Sequence, residues 1–385
     1  MGVGRLKTIG KLLLISLLLI LIAGVAVAEQ SDDGVDTIVS ESFILLEASS
    51  GRVLYEKNSR EQSLIASTTK LMTAIVALEL SELDEIVTIE PESTGIEGCS
   101  IYLEPGEQLT MQDLLYGLIL RSGNDAAMAI ARHVGGDERQ FAALMNRKAW
   151  ELGMKDTSFA NPHGLDAEEH YSCAHDLAIL AREVLRHPVL REICATETYV
   201  SRELTTGRPR VMYNSNKLLE RDPRALGLKT GWTEAAGACL VAAAAEDGME
   251  LIAVVMDTQA LYSDVMKLFN YGFDKVDMKT VIDAGKTVTV LPVRGGVERR
   301  VPVQLARQVS FPVYANEMIN YEVIPDLPAR LEAPLTVGEV VGTAHILIDN
   351  QWELSADLQV AADVDARSGL FARIANWLRG WWQND

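Results

Sequence analysis

Ser67-Thr68-Thr69-Lys70 stands just before an apolar stretch. If a helix begins near Ser67, the i,i+3 spacing sets a hydroxyl and an amine on one face, a turn apart. A serine hydroxyl is a poor nucleophile until a neighbouring base takes its proton. A lysine becomes that base when burial or nearby positive charge lowers its pKa. The helix N-terminus also presents backbone N–H groups to a developing oxyanion. Alone the spacing carries little, because about one Ser-x-x-Lys is expected by chance in a chain this long. A Ser/Thr cap followed by a surface lysine has the same pattern.

Two further runs add the missing parts. Ser122-Gly123-Asn124 precedes a second helical pattern over 125–134 and, taken alone, reads as an N-cap and turn. Beside Ser67 and Lys70, its hydroxyl can relay protons to a leaving amine, and its amide can fix a peptide carbonyl or hold Lys70. Lys229-Thr230-Gly231 precedes Trp232-Thr233 and, taken alone, is an exposed strand end. On a strand edge, Lys229 and Thr230 suit a substrate carboxylate, and Gly231 lets backbone approach the ligand closely. The N–H of Trp232 then supplies a second oxyanion donor. The three runs come in this order, 55 and 107 residues apart, and together they are far more specific than any one.

The elements that must position them are legible in the hydrophobic pattern. Residues 42–57 read as a hairpin turning at Ser49-Ser50-Gly51. Helical periodicity follows over 71–78, 111–120, 125–134, 138–152 and 174–186. Strand-like runs return at 239–245 and 251–257, with a helix near 260–272. Strands at both ends with helices between predict an α+β domain whose sheet pairs its first and last segments. From about residue 280, short alternating runs punctuated by Gly295-Gly296, Pro302, Pro312 and Pro325 predict a small all-β domain.

The set Ser-x-x-Lys, Ser-x-Asn and Lys-Thr-Gly is shared by serine β-lactamases and penicillin-binding proteins. The chain resembles the D-alanyl-D-alanine carboxypeptidases, the low-molecular-mass penicillin-binding proteins, over about 38–275. The stretches that carry this are ASTTKLMT (66–73), RSGNDA (121–126), NPHGLD (161–166) and GLKTGWT (227–233). The resemblance implies a β-lactamase/transpeptidase-like fold with Ser67 as acylated nucleophile, Lys70 as its general base and Ser122 as proton relay. It implies Asn124 as a substrate-orienting amide, and Lys229, Thr230 and Gly231 as the carboxylate-binding strand. It also implies the N–H groups of Ser67 and Trp232 as the oxyanion hole. The implied partners are a peptidoglycan stem pentapeptide, which loses its terminal D-alanine, and β-lactam antibiotics; no cofactor or metal is implied. Two departures stand out. An arginine is expected near Leu261, yet none occurs between Arg224 and Arg294. Cys99, in Gly98-Cys99-Ser100, replaces a more usual serine. The first leaves a D,D-endopeptidase or another amide or ester hydrolase of the same fold as alternatives.

The ends and the overall charge bound the setting. Residues 1–28 have a basic start, a Leu/Ile run at 12–21 and an Ala26-Val27-Ala28 cleavage signature, the layout of a secretory signal. An uncleaved anchor is the alternative; both export the body of the protein. The four domains expected are a signal (1–28), a serine peptidase domain (29–277), an all-β domain (278–362), and a linker with a C-terminal helix (363–385). In the last, Leu370, Phe371, Ile374, Trp377, Leu378, Trp381 and Trp382 fall on one helical face. Three arginines and no acid over 367–382 suit an anionic membrane surface for residues 368–385. Packing of that helix on the protein's own body is the alternative. The expected location is therefore the outer face of the cytoplasmic membrane, at the cell wall.

The whole chain carries a formal charge of −19, which excludes general affinity for nucleic acid. Cys99, Cys173, Cys194 and Cys239 lack metal-ligand spacing, and their pairing is open; buried or free thiols are expected. His163 is expected to order a turn rather than act as a base, since Lys70 fills that role. His133, His170, His175, His187 and His345 suggest neither zinc nor a Ser-His-Asp triad. A class A β-lactamase is disfavoured because Glu168-Glu169 runs into His170-Tyr171-Ser172 instead of Glu-x-x-Leu-Asn. A non-catalytic wall-binding protein is the reading from another class.

Overall fold

The computed structural model describes residues 34–367, so the signal segment and the C-terminal amphipathic helix lie outside the described residues. The chain divides after Thr37; the short Val35–Thr37 turn belongs to the first unit and everything below to the second.

Five antiparallel strands form the central sheet, in the order Val53–Lys57, Ser42–Glu47, Met249–Met256, Gly237–Glu246, Ala225–Thr233. The first strand thus pairs with a strand some two hundred residues later, Ile44 opposite Val254. Side chains alternate between two apolar clusters. Ile44, Leu46, Val241, Ala243, Ile252 and Val254 point to the helical side, built on Lys70–Leu80, Met111–Leu120, Asn124–Gly135 and Ala174–Arg186. Phe43, Leu45, Leu240, Ala242, Leu251 and Val255 point to the other, closed by helix Leu261–Lys275. A sheet covered on both faces needs unbroken apolar runs, which is why these strands read as continuous hydrophobic segments.

The helices lie close to their expected spans, and their ends are set locally. Thr110 and Asp113 form a reciprocal capping box at the start of Met111–Leu120, and Gly153, left-handed, stops Glu138–Leu152. One expectation needs correcting. The α-helix begins at Lys70, and Ser67 lies in a preceding 3-10 turn, Ala66–Thr69. In a 3-10 turn residues i and i+3 eclipse, so Ser67 and Lys70 align more directly than on an α-helix.

The described residues beyond Lys275 form only β-strands and their connections. A six-stranded sheet runs Tyr321–Asp326, Val340–Ile348, Trp352–Val360, Arg300–Leu305, Thr287–Arg294, Leu331–Glu332, and a ribbon pairs Val276–Ile282 with Val309–Tyr314. It has its own apolar cluster around Val303, Leu305, Phe311, Ile346 and Leu358. Arg52 joins it to the first hairpin. Its guanidinium donates to Pro312 O at 2.6 Å and to both Glu317 oxygens, and lies 5.1–5.3 Å from the rings of Phe311, Tyr314 and Trp352. Among the described residues no helix is long and apolar enough to cross a membrane.

Candidate active site

Lys70 is fully buried, and its amine makes three hydrogen bonds: to Ser67 Oγ (2.9 Å), Asn124 Oδ1 (2.7 Å) and the His163 carbonyl (2.5 Å). The Asn124 orientation is fixed independently, because its Nδ2 donates to the Glu97 carbonyl, which can only accept. Two of the three partners of Lys70 are therefore pure acceptors. If the amine is neutral, its two N–H bonds must serve Asn124 and His163, and its lone pair has one place left to point: the Ser67 hydroxyl. Burial pushes the Lys70 pKa well below the usual lysine range. The charge of Lys229 lowers it further, while Cys99 and Asp125 oppose.

Ser67 itself is half-buried at the mouth of this cluster. Gly231, on the edge strand Ala225–Thr233, packs directly against it: a Cβ built there would lie 2.9 Å from Ser67 N and 3.0 Å from Ile65 O. Lys229, two residues earlier on the same strand face, is fully buried, with its amine on Thr230 O at 2.9 Å. Burial brings its pKa down to about 8, against the opposing effects of Cys99 and Cys194. Trp232 is exposed beside Gly231. Ser122 is buried on the turn before Asn124–Gly135 with φ of +58°, a left-handed conformation that a serine holds only under constraint. Lys70 is thus bonded to Ser67 and Asn124, Gly231 packs on Ser67, and Lys229 is near enough for its charge to act on Lys70, whereas Ser122 is not among the three partners of Lys70.

Several contributors were not among the residues expected to act, although Asp125 and His163 lie in the RSGNDA and NPHGLD stretches. Asp125 accepts from Ser100 Oγ (2.5 Å), Ile101 N (3.0 Å) and Leu103 N (3.0 Å), and Asn124 N donates to Cys99 O (2.7 Å). The Glu97–Leu103 loop is thereby stitched to the Ser122–Asn124 turn. His163 serves through its carbonyl. Its ring accepts from Leu165 N and lies 3.3 Å from Glu138, and burial lowers its pKa to about 3, so it is neutral and turn-ordering as expected. Cys99 is exposed at this loop; Cys173, Cys194 and Cys239 are buried and free.

Two clusters of metal-ligating side chains occur among the described residues, and neither adjoins Ser67. Glu79 and Glu183 already share the Lys148 ammonium, and His187 pairs with Glu183. In the other, Asp176 receives Asp156 N and Thr157 Oγ1 while its own N–H goes to Cys173.

Comparison with known proteins finds similarity along nearly the whole chain. A family model described as D-alanyl-D-alanine carboxypeptidase matches residues 26–260, and one described as penicillin-binding protein 5, C-terminal domain, matches 277–366. The D-alanyl-D-alanine carboxypeptidase DacF of Bacillus subtilis is 32% identical over 98% of this chain and 99% of its own. Penicillin-binding protein 5 of Haemophilus influenzae superposes with a TM-score of 0.65 at 29% identity, covering 85% of this chain and 98% of that one. A Streptococcus pneumoniae structure described as a peptidoglycan synthesis regulatory factor (PBP3) gives 0.73 at 25% identity, over 85% and 100%. A buried lysine aimed at a serine, on a fold and a chain length shared with these proteins, makes this chain a member of the D-alanyl-D-alanine carboxypeptidase family of serine peptidases.

Proposed function

We propose that the serine D,D-carboxypeptidase activity of this chain runs through an acyl-enzyme on Ser67, with Lys70 as general base. The observation that carries this is the amine of Lys70, buried, lowered in pKa and left with a single direction for its lone pair. The amine takes the Ser67 proton as Oγ attacks the penultimate D-alanyl carbonyl of a stem peptide. The oxyanion is received by the N–H groups of Ser67 and Trp232. The proton passes through Ser122 to the leaving D-alanine nitrogen, and the C–N bond breaks. Water then attacks the ester, gives its proton to Lys70, and the acid leaves as Ser67 is restored. A β-lactam enters by the same first step through its own amide.

Asn124 holds Lys70 and presents its amide beside the substrate. Lys229 and Thr230 take the terminal carboxylate; with no arginine between Arg224 and Arg294, that task falls on them. The absent arginine also favours a second reading, a D,D-endopeptidase whose cross-linked substrate places less weight on a free carboxylate. The division into a peptidase domain over 29–277 and an all-β domain over 278–362 belongs to this reading, supported by the separate apolar clusters. The protein works on the cell-wall side of the membrane, with residues 368–385 laid on an anionic lipid surface.

Fluorescent penicillin should label the parent and not Ser67→Ala, and Lys70→Ala should acylate about 10²–10⁴-fold more slowly. Labelling that survives in Ser67→Ala rejects the nucleophile. Free D-alanine from a stem pentapeptide separates carboxypeptidase from endopeptidase. Deleting 368–385 should move the signal-cleaved protein into the soluble fraction; unchanged membrane association rejects the tail's role.

A further inference from the structure

His170 is buried, 1% exposed, and has no part in the chemistry above. Its ring bridges two groups, with Nδ1 at 3.1 Å from Ala160 N and Nε2 at 2.8 Å from Thr69 Oγ1. A backbone N–H can only donate, so Nδ1 carries no proton and, in the neutral ring, Nε2 does. Burial keeps the ring neutral by lowering its pKa to about 4; Asp166 opposes this and Lys70 reinforces it. The single hydroxyl proton of Thr69 goes to Ala66 O at 2.8 Å, so Thr69 Oγ1 must accept from His170. Both ends therefore dictate one direction: His170 Nε2–H to Thr69 Oγ1–H to the Ala66 carbonyl.

That carbonyl belongs to the same planar peptide group as the Ser67 N–H. A hydrogen bond donated to its oxygen fixes the peptide plane and polarises the N–H at the other side, making it a stronger donor. The conformation being held is an unusual one, since Ala66 has φ of +46°. Gly164, next to the carbonyl that accepts from Lys70, packs on the same place; a Cβ there would collide with Ala66 O and lie 2.9 Å from Thr69 Oγ1.

We propose that His170 and Thr69 are positioning residues for the oxyanion hole, setting the aim and strength of the Ser67 N–H through the Ala66 carbonyl. The inference rests on the reading of that N–H as an oxyanion donor. Neither side chain needs to touch substrate, so the effect belongs to the tetrahedral state and not to initial binding.

The test uses the full chain as parent, Thr69→Val, Thr69→Ser and Ser67→Ala. Active sites are titrated with fluorescent penicillin, and the acylation rate per titrated site is measured. Affinity for a D-alanine-like boronic acid, which forms a tetrahedral adduct on serine, is measured alongside. Outright loss of an oxyanion donor costs about 10²–10³ in rate, so misaiming one should cost about tenfold. Thr69→Val should acylate about tenfold more slowly per site and lose boronate affinity by a similar factor, with unchanged dissociation constant for the non-covalent penicillin complex. Thr69→Ser should match the parent. The proposal is overturned if Thr69→Val loses titratable sites while each remaining site keeps the parental rate, or if Thr69→Ser is equally impaired. Where Thr69→Val leaves too few sites to measure, His170→Leu is read by the same comparison. Labelling of Ser67→Ala instead overturns the nucleophile reading beneath it.

Discussion

Gly231→Ala tests the contact between the edge strand and the nucleophile's turn. A Cβ at this position would lie 2.9 Å from Ser67 N, 3.0 Å from Ile65 O and 3.1 Å from the Ala66 Cβ. Two of these atoms are backbone, which cannot swing aside as a long side chain can. Ordinary contact begins near 3.4 Å, so strand and turn must part by about 0.5 Å. The proposed oxyanion donors, Ser67 N and Trp232 N, lie on opposite sides of this contact, so the separation opens the hole directly. A 1 Å misplacement can cost about 10²-fold, which sets the expected loss in acylation at roughly 10- to 100-fold. Overpacking should also lower stability by about 1–3 kcal/mol. Stopped-flow acylation by fluorescent penicillin, normalised to titrated sites, measures the first and a thermal melt the second. Gly272→Ala is the control: its Cβ would meet Leu251 and Leu45 on the far side of the sheet. It should lower the melting temperature and leave acylation per site unchanged. Parental acylation by Gly231→Ala, or equal slowing in both variants, refutes the reasoning.

Lys229 has its pKa lowered to about 8 by burial, so the hold on a carboxylate proposed for it should be full below that pH and lost above it. KM for a stem pentapeptide should rise roughly tenfold per pH unit beyond that point, and for a C-terminal amide it should not; a flat carboxylate KM up to pH 10 removes Lys229 from the role. His163 and His170 are held neutral, with pKa values of about 3 and about 4 against 6.5 when unfolded. The unfolded chain therefore binds more protons across that window, and their contribution to stability, complete above 6.5, drains away as pH falls toward 4. For His170 alone the loss is roughly 3 kcal/mol, and melting temperatures from pH 7 to 4 should fall less steeply in His170→Gln. Arg52→Lys keeps the charge but loses the planar stack among Phe311, Tyr314 and Trp352 and the paired bonds to Glu317. About 2 kcal/mol of stability should go with it while acylation per site stays parental, as urea titration and penicillin labelling can check. A thiol reagent should find one reactive cysteine, Cys99, in the native protein and all four after unfolding, since burial pushes Cys173 and Cys194 up to about 12 and Cys239 to about 11; native reaction at a second site contradicts the burial of these three.

The local elements were readable because their causes are local. Helical spans over 111–120, 138–152 and 174–186 follow from apolar periodicity, and the pairing of the first and last strands follows from both being apolar throughout. The helical pattern at 71–78 lies within the helix Lys70–Leu80, while a start near Ser67 is not realised, because Ser and Thr at 67–69 suit a 3-10 turn and an α-helical N-terminus equally well. The hairpin Thr198–Arg202 with Pro209–Tyr213 leaves little trace in the hydrophobic pattern, as its alternation is weak and both strands are largely exposed.

At the site, sequence alone determined the chemistry on offer: a hydroxyl and an amine three residues apart are neighbours in any helical turn, whatever surrounds them. What tertiary structure decided is how that pair behaves. The partners that orient Lys70 come from 54 and 93 residues away, and the histidine that braces Thr69 from 101. Two of the groups that matter most, the carbonyls of His163 and Ala66, are backbone atoms that every residue possesses, so no letter in the sequence marks them. Burial of Lys70, which sets its basicity, likewise belongs to no residue. It appears only when the sheet, the helices and the Asn161–Asp166 loop close around one amine and exclude water from it.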